Sequence, residues 1–210
     1  MGGPAWCPAP GVVSSPFPLV WLPQWLAEEE VVELLRAAEQ AEWRPSPLAT
    51  AGDAAARSSE SAPLRTAGLR RKAAALLGMP EAHVAVPQLV RYSPGQLYVP
   101  HVDWGHGADA SLFLAGQRLA TVLVYLTDVP KTCSGGCTHF PRLTQRHQPG
   151  GLRIVPVRGA ACAWPNVSPH GMPLAETEHA AEPLQVTCGA EAGRKIAINL
   201  WLRDRPVPWA

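Results

Sequence analysis

The stretch that decides the fold covers residues 91–104 and reads RYSPGQLYVPHVDW. Its centre, His101-Val102-Asp103, separates an imidazole and a carboxylate by one residue. In an extended strand, residues i and i+2 share a face, so both side chains can reach one metal ion. Two imidazoles and one carboxylate form the facial triad of non-haem Fe(II) oxygenases, and His179 is a candidate for the second imidazole. A His-x-Asp tripeptide also occurs by chance as a surface polar pair, so the rest of the sequence has to decide.

Downstream of residue 84 the periodicity is that of strands. Short runs rich in Val, Leu, Ile and Tyr alternate with Pro and Gly, which is typical of an all-β barrel or sandwich. The predicted strands are residues 86–92, 119–126, 152–157, 160–164 and 195–201.

Upstream of residue 84 the sequence predicts two helices. Residues 27–43 have three consecutive glutamates from Glu28 in the first turn, where negative charge suits the helix dipole, followed by apolar residues at helical spacing. Residues 66–77 form the second helix, which stops at Gly78. Between them, residues 45–63 are rich in Ala, Ser, Gly and Pro and are predicted to form a mobile loop.

Length and charge restrict the class of protein. A chain of 210 residues is long enough for one domain with a large core. The 18 basic and 17 acidic residues give a net charge of +1 without long runs of one sign, so we expect no nucleic-acid partner. No apolar stretch approaches the roughly 20 residues that span a bilayer, so we expect no membrane span.

The N-terminus and the cysteines bear on the compartment. Residues 1–18 are rich in Pro, Gly and Ser and do not read as a secretory signal. The five cysteines are an odd number without a dense framework, which fits reduced thiols. Cys133 and Cys137 are the exception, since they could also form a local disulfide or a zinc half-site. We expect a cytoplasmic protein if the sequence is complete, and one of the endoplasmic reticulum if a leader was removed.

Six segments together carry a family resemblance. They are RYSPGQLYVPHVD (91–103), RLATVLVYL (118–126), GGCTHFP (135–141), WPN (164–166), HAAEPL (179–184) and GRK leading to NLW (193–201). In this order they resemble the prolyl 4-hydroxylase family of Fe(II)/2-oxoglutarate dioxygenases, over about residues 21–209. Lys195 follows His179 by sixteen residues, further than in the family, and the extra Gly- and Ala-rich residues near 187–192 can form a longer hairpin loop.

The resemblance implies a fold and a domain organisation. It implies an α+β, mainly β protein with a double-stranded β-helix, or jelly-roll, core and supporting N-terminal helices. We expect a flexible segment over residues 1–18 and a single dioxygenase domain over 19–210. Within that domain, helical support would occupy 26–80 and the jelly-roll core 84–205.

The resemblance also implies a cofactor site. His101, Asp103 and His179 would ligate Fe(II), with 2-oxoglutarate and O2 as cosubstrates and ascorbate as reductant. Lys195 would pair with the distal carboxylate of 2-oxoglutarate, helped by the hydroxyls of Tyr92 and Thr138. A buried carboxylate needs a cation and hydrogen bonds to offset its desolvation, which agrees with this assignment. On its position alone, Lys195 would be read as a solvated strand lysine.

On the substrate side, the resemblance places five residues around the target: Tyr98, Arg118, Trp201, Arg57 and Ser59. Aromatic side chains and arginines suit an extended, polyproline-type peptide, although aromatics on strands are also common packing residues. The segment Arg57-Ser58-Ser59 only approximates the family's Arg-Thr-Ser.

The expected activity is hydroxylation of an aliphatic C–H, at C4 of peptidyl proline, with 2-oxoglutarate converted to succinate and CO2. The partner would be a proline-containing peptide or protein, or a small molecule. Two alternatives stay open: a hydroxylase of a free amino acid or small metabolite, and a catalytically silent binding module on the same scaffold.

Overall fold

The computed structural model describes residues 11–12, 19–47, 56–105, 110–129, 133–143, 150–186 and 193–208. Their strands and helices, in chain order, are β1 (Gly11–Val12), β2 (Val20–Leu22), α1 (Glu28–Glu39), β3 (Arg44–Pro45), β4 (Glu60–Pro63), α2 (Ala67–Leu77), β5 (Gln88–Tyr92), β6 (Tyr98–His101), α3 (Ala110–Ala115), β7 (Arg118–Tyr125), β8 (Cys133–Gly135), β9 (Thr138–Phe140), β10 (Leu152–Ile154), β11 (Ala161–Pro165), β12 (His179–Ala181), β13 (Leu184–Val186) and β14 (Lys195–Arg203). Short 3₁₀ turns lie at Glu81–His83 and Ala175–Thr177. The prediction of a mainly β protein with N-terminal helices is therefore confirmed.

Two antiparallel sheets face each other. In the described part of the chain, the main sheet has eight strands in the order β1-β2-β11-β7-β14-β5-β4-β3, and the second has four in the order β10-β9-β12-β6. A short pair, β13-β8, lies apart from both. The central strand β14 pairs with β5 on one side and β7 on the other, and Lys195 stands opposite Tyr92.

The two helices cover one face of the main sheet. Val31, Leu34 and Ala38 of α1 share a core cluster with α2 residues such as Leu69. Helix α1 ends at Glu39, four residues before the predicted end, whereas α2 ends where the sequence predicts, at a left-handed Gly78 with φ of 63°. Glycine tolerates this conformation because it has no Cβ.

The other face of the main sheet packs against the second sheet. Because side chains alternate along a strand, β7 directs Val122 and Val124 into the helix-side core and Leu123 and Tyr125 into the inter-sheet core. On β14 the same alternation directs Ile198 into the helix-side core, and the residues on either side of it face the second sheet. The period-two pattern thus divides the core into two layers and gives the second layer the polar residues of the site.

Two features of the structure differ from the sequence-based prediction, and one prediction concerns a segment that the structure describes only in part. The predicted loop over 45–63 ends in a strand, since β4 pairs with β5 and β3 with β4, and residues 48–55 lie outside the described residues. Helix α3 was not predicted. Of the segment 1–18, the structure describes Gly11–Val12, which pairs with β2, so the proposed domain boundaries stay a prediction. None of the described helices combines the length and the apolar character needed to cross a membrane.

Candidate metal and cosubstrate site

A cavity of about 240 Å³ lies between the two sheets. Its wall is formed by Pro47, Arg57, Gln88, Val90, Tyr92, Tyr98, His101, Val102, Asp103, Arg118, Leu123, Thr138, His179, Ala180, Ala181, Lys195, Ala197, Asn199 and Trp201. Every predicted site residue except Ser59 is in this wall. The structure therefore brings together groups that lie more than a hundred residues apart in the chain.

A three-residue cluster suited to a metal lies at one end of the cavity. His101 ends β6 and stands opposite His179, the first residue of β12. Asp103 lies in the bend after β6, so it reaches the cluster from a turn and not from the strand that the sequence predicted. Potential ligand atoms of the three side chains lie within 4.8 Å of one another, and His179 Nε2 is 3.9 Å from Asp103 Oδ2.

Backbone carbonyls fix the orientation of both imidazoles. His101 Nδ1 lies 2.9 Å from the carbonyl oxygen of Val99, and His179 Nδ1 lies 2.8 Å from that of Thr177. Because a carbonyl only accepts, each Nδ1 carries a proton, which leaves each Nε2 as the ring nitrogen available to a metal. Proteins commonly use this contact to orient metal-binding histidines.

The charges of the cluster also favour a cation. Burial, together with the neighbouring His179, holds the pKa of His101 well below its usual range, so this imidazole is neutral at pH 7. Burial alone would raise the pKa of the Asp103 carboxyl, but His179, His101 and Arg118 outweigh burial and lower it. Neutral imidazoles and an ionised carboxylate are the protonation states that a divalent metal requires.

A buried lysine lies further along the cavity. Lys195 is 2% exposed, and its Nζ donates to the carbonyl oxygen of Gly136 at 2.8 Å. The ammonium also lies 5.4 Å from the ring centre of Tyr92 and 5.9 Å from that of Tyr125. Burial lowers its pKa from 10.5 to about 8. Among the described residues no carboxylate forms an ion pair with it, so the site contains a buried cation suited to an anionic ligand.

The hydroxyl of Thr138 lies in the wall with Lys195. Thr138 is 3% exposed and accepts a hydrogen bond of 2.8 Å from the hydroxyl of Tyr125, so its own proton is free for another acceptor. Thr138 stands opposite Ala181 of β12, two residues from His179. The cation and this hydroxyl can thus hold one end of a dicarboxylate whose other end meets the metal cluster.

Aromatic and guanidinium groups line the rest of the wall. The ring of Tyr98 stacks on His101 with centres 3.5 Å apart, and the guanidinium of Arg57 lies 4.5 Å from the ring centre of Tyr98. On the other side, the guanidinium of Arg118 lies 4.3 Å from the ring centre of Trp201 and donates to the Asp103 carbonyl oxygen at 3.1 Å. These groups lie beside the metal cluster.

A sequence model of the 2OG-Fe(II) oxygenase superfamily matches residues 87–203, which is more than half of the chain. The chain belongs to this superfamily. It is 35% identical over 119 residues to prolyl 4-hydroxylase subunit alpha-2 of Gallus gallus, which covers 56% of this chain and 19% of that protein. It is 32% identical over 142 residues to probable prolyl 4-hydroxylase 7 of Arabidopsis thaliana, covering 62% and 42%. The chain therefore spans less than half the length of these two relatives.

A solved structure resembles the chain over most of both lengths. The 2-oxoglutarate complex of the viral collagen prolyl hydroxylase of Paramecium bursaria Chlorella virus-1 superposes with a TM-score of 0.65 at 26% identity, covering 87% of this chain and 94% of that one. A prolyl 4-hydroxylase of Pseudomonas putida shares the fold, with a TM-score of 0.59 at 15% identity over 91% and 95%. These likenesses confirm the predicted resemblance and the jelly-roll core.

The site found here fits the metal and cosubstrate of the superfamily. Two imidazoles and a carboxylate are the donor set of non-haem Fe(II). The buried ammonium of Lys195 is a positive charge of the kind that the distal carboxylate of 2-oxoglutarate would need. Ascorbate stays a prediction.

Three further side chains, those of Ser59, His139 and Cys137, lie outside the cavity wall. Ser59 is 2% exposed and lies behind the wall, where its hydroxyl accepts from Arg57 Nε at 3.0 Å and donates to Ser46 at 2.9 Å. His139 faces away from the cavity, as strand alternation predicts, and lies 3.6 Å from Glu182. The Cys137 thiol is buried and free.

Sequence reasoning gave no role to two residues that the structure brings into contact with the site. Thr121 donates to Asp103 Oδ2 at 2.7 Å, and Tyr125 supports Thr138. Both belong to β7, on the face that also carries Leu123 of the cavity wall. The sequence did contain a signal for these two residues, because polar side-chain atoms at alternate positions of an apolar strand indicate a buried polar site.

Proposed function

We propose that this chain is an Fe(II)- and 2-oxoglutarate-dependent dioxygenase that hydroxylates an aliphatic C–H bond, at C4 of proline in a peptide. One observation carries the proposal: the same cavity joins a three-ligand cluster to a buried ammonium for which the described residues provide no carboxylate partner. A metal site alone would also serve hydrolases or structural proteins. The buried cation adds a place for an anionic cosubstrate.

The residues of the chain would act in separate roles. His101, Asp103 and His179 would hold the metal, with both imidazoles oriented by backbone carbonyls. Lys195 would pair with the distal carboxylate of the cosubstrate, and Thr138 would donate its remaining proton to that carboxylate. When bound, the metal and the cosubstrate supply the oxidising chemistry, in which O2 and 2-oxoglutarate give succinate, CO2 and a hydroxylated product.

The wall beside the metal cluster supports a peptide substrate. Within the described part of the chain, Arg118 Nε and Trp201 Nε1 are buried donors without a hydrogen-bond partner. Buried donors without acceptors are unfavourable, so a bound carbonyl oxygen would satisfy them. The ring of Tyr98, between His101 and the guanidinium of Arg57, adds aromatic surface to the same wall. The relatives named prolyl 4-hydroxylases point to the same substrate class.

The test is a coupled assay. Purified protein with Fe(II), ascorbate and 2-oxoglutarate is incubated with and without proline-rich peptides, and with free proline. Succinate is measured, and peptide mass is followed for one added oxygen atom. Peptide-dependent succinate with an oxygenated peptide supports the proposal. Stimulation by free proline alone would move the substrate to small molecules, and omission of ascorbate tests the proposed reductant.

A matched pair of histidine variants ties the activity to the cluster. His101→Ala removes one proposed ligand and should abolish metal-dependent succinate formation. His170→Ala removes an exposed imidazole in a turn outside the cavity wall and should have no effect. If His101→Ala keeps full turnover, the metal assignment is wrong. Peptide binding without metal binding or turnover would instead favour the binding-module alternative. A cytoplasmic location stays a prediction from the sequence.

A further inference from the structure

Behind the proposed metal ligand Asp103 lies a short chain of buried hydrogen bonds. Thr121 donates its hydroxyl proton to Asp103 Oδ2 at 2.7 Å. Asn166 of the segment after β11 donates from Nδ2 to the Thr121 hydroxyl oxygen at 2.9 Å. Thr121 and Asn166 are both 0% exposed, so water does not compete for these bonds. Neither residue lines the cavity, and neither has a role in the proposed function above.

The direction of these bonds is fixed by chemistry. A hydroxyl has one proton, and an amide nitrogen only donates. Because Asn166 donates to the Thr121 oxygen, the single Thr121 proton is left to point at the carboxylate. Without the amide, the hydroxyl could rotate toward other acceptors. Asn166 therefore orients the Thr121 hydroxyl, and Thr121 donates its proton to one carboxylate oxygen of Asp103.

The same asparagine is joined to the segment that carries His179. The backbone carbonyl oxygen of Asn166 accepts from the backbone N–H of Leu174 at 3.1 Å. The Leu174 carbonyl oxygen accepts from the Thr177 hydroxyl at 2.7 Å, and the Thr177 carbonyl faces His179 Nδ1 at 2.8 Å. The side chain of Asn166 is thus bonded on the Asp103 side of the cluster, and its backbone is bonded to the segment that orients His179.

A purely structural role does not account for this arrangement. In the described residues, Asn166 Oδ1 is buried and accepts no hydrogen bond. A buried acceptor without a donor lowers stability, and a leucine of similar size would avoid that cost. The hydrogen bond that the side-chain amide donates to Thr121 does explain why an asparagine occupies this position.

We propose that Thr121 and Asn166 are positioning residues that hold the Asp103 carboxylate in a metal-binding orientation before the metal arrives. The inference rests on the proposed function, since it requires a metal at the cluster. Residues that orient metal ligands in this way typically contribute 10–100-fold to metal affinity. The effect should therefore appear in binding itself, without turnover.

The test measures Mn(II) affinity by loss of the free-ion EPR signal in the absence of 2-oxoglutarate. Thr121→Val keeps the shape and removes the hydroxyl, and it should weaken Mn(II) binding by about 10–100-fold. Thr121→Ser restores the hydroxyl and should restore most of the affinity. Thr127→Val removes a hydroxyl that donates to the Arg194 carbonyl oxygen and accepts from the Ile196 N–H, with no bond to Asp103, and it serves as the matched control.

A second variant isolates the asparagine. Asn166→Leu removes the amide and its unpaired oxygen, so it should weaken Mn(II) binding while leaving thermal stability without metal close to that of the wild type. If Asn166 acts through the Thr121 hydroxyl, adding Asn166→Leu to Thr121→Val should weaken binding little further. Visible spectra of the Co(II)-loaded variants report the coordination directly, and they should change in Thr121→Val and not in Thr127→Val.

The outcomes separate the two proposals. Equal Mn(II) affinity in wild type, Thr121→Val and Asn166→Leu would overturn the positioning role and leave the proposed function standing. A wild type that binds no Mn(II) would overturn both. Should Thr121→Val fail to fold, Asn166→Leu decides alone, since it removes no bond made directly to Asp103.

Discussion

The buried ammonium of Lys195 should make the protein less stable while making it able to bind its cosubstrate, and Lys195→Met tests both effects together. Lowering the lysine pKa from 10.5 to about 8 by burial corresponds to a cost of about 3 kcal/mol at pH 7. Methionine removes this cost but loses the bond to the Gly136 carbonyl, about 1 kcal/mol. The variant without ligands should therefore be more stable than the wild type by about 2 kcal/mol.

The pH dependence of this difference follows from the two pKa values. Below pH 8 the lysine is charged in both the folded and the unfolded chain, so its cost is constant. Between pH 8 and pH 10.5 the folded chain releases the proton first, and the unfolded chain binds more protons. The wild type should therefore gain stability relative to Lys195→Met as the pH rises through this window, and the gap should close.

Urea unfolding at several pH values measures the stability, and calorimetric titration of 2-oxoglutarate into the Mn(II)-loaded protein measures the affinity. At 100 times its Kd, 2-oxoglutarate should raise the free energy of unfolding of the wild type by about 2.7 kcal/mol. Lys195→Met should lack this increase. Lys72→Met is the control, because this half-exposed lysine pairs with Glu30 at the surface and should change stability by less than about 1 kcal/mol. A Lys195→Met protein that is destabilised, or that binds 2-oxoglutarate like the wild type, would refute the reasoning.

Three other substitutions have expected outcomes. Thr138→Val leaves the buried Tyr125 hydroxyl without its acceptor, so urea unfolding should show a loss of about 1–3 kcal/mol and calorimetry a weaker affinity for 2-oxoglutarate. Ile198→Ala opens a cavity in the helix-side core, where Ile198 is 0% exposed, and should cost about 2–5 kcal/mol in urea unfolding while Mn(II) affinity is retained. Gly151→Ala should lower the melting temperature, because φ is 87° and the new Cβ would lie 2.5 Å from the Phe140 carbonyl oxygen; an unchanged value would contradict this geometry.

The regular elements were predictable where the local pattern and the tertiary structure agree. Helix α2 ends at Gly78 because a left-handed residue terminates it, and β7 follows from an apolar run. Strand β4 was missed because Glu-Ser-Ala-Pro has weak strand propensity, and its extended form comes from pairing with β5. Propensity describes a segment alone, whereas strand pairing is a property of two segments.

The residues of the candidate site also divide into those that the sequence indicates and those that depend on the tertiary structure. His101 and Asp103 could be indicated by ligand type and spacing, whereas His179 was assigned as a ligand through the family resemblance. The resemblance also assigned Lys195 to the cosubstrate, but its position alone favoured a solvated lysine, and its burial became visible only with its place opposite Tyr92 in the central strand. The contact from Thr121 to Asp103 joins residues eighteen positions apart through a bend whose path the sequence does not specify.

Lys195 and Trp201 lie on one uninterrupted strand, six residues apart and on the same face. At about 3.3 Å per residue, the strand separates their backbones by about 20 Å. The number of residues between His179 and Lys195 can therefore change without altering the distance along β14 from the proposed cosubstrate anchor, Lys195, to the proposed substrate residue, Trp201. The extra residues near 187–192, which were predicted to form a longer hairpin loop, lie outside the described residues, and a change in their number leaves the spacing along β14 unaltered. A single insertion inside β14 would instead turn every later side chain to the opposite face and separate the two halves of the site.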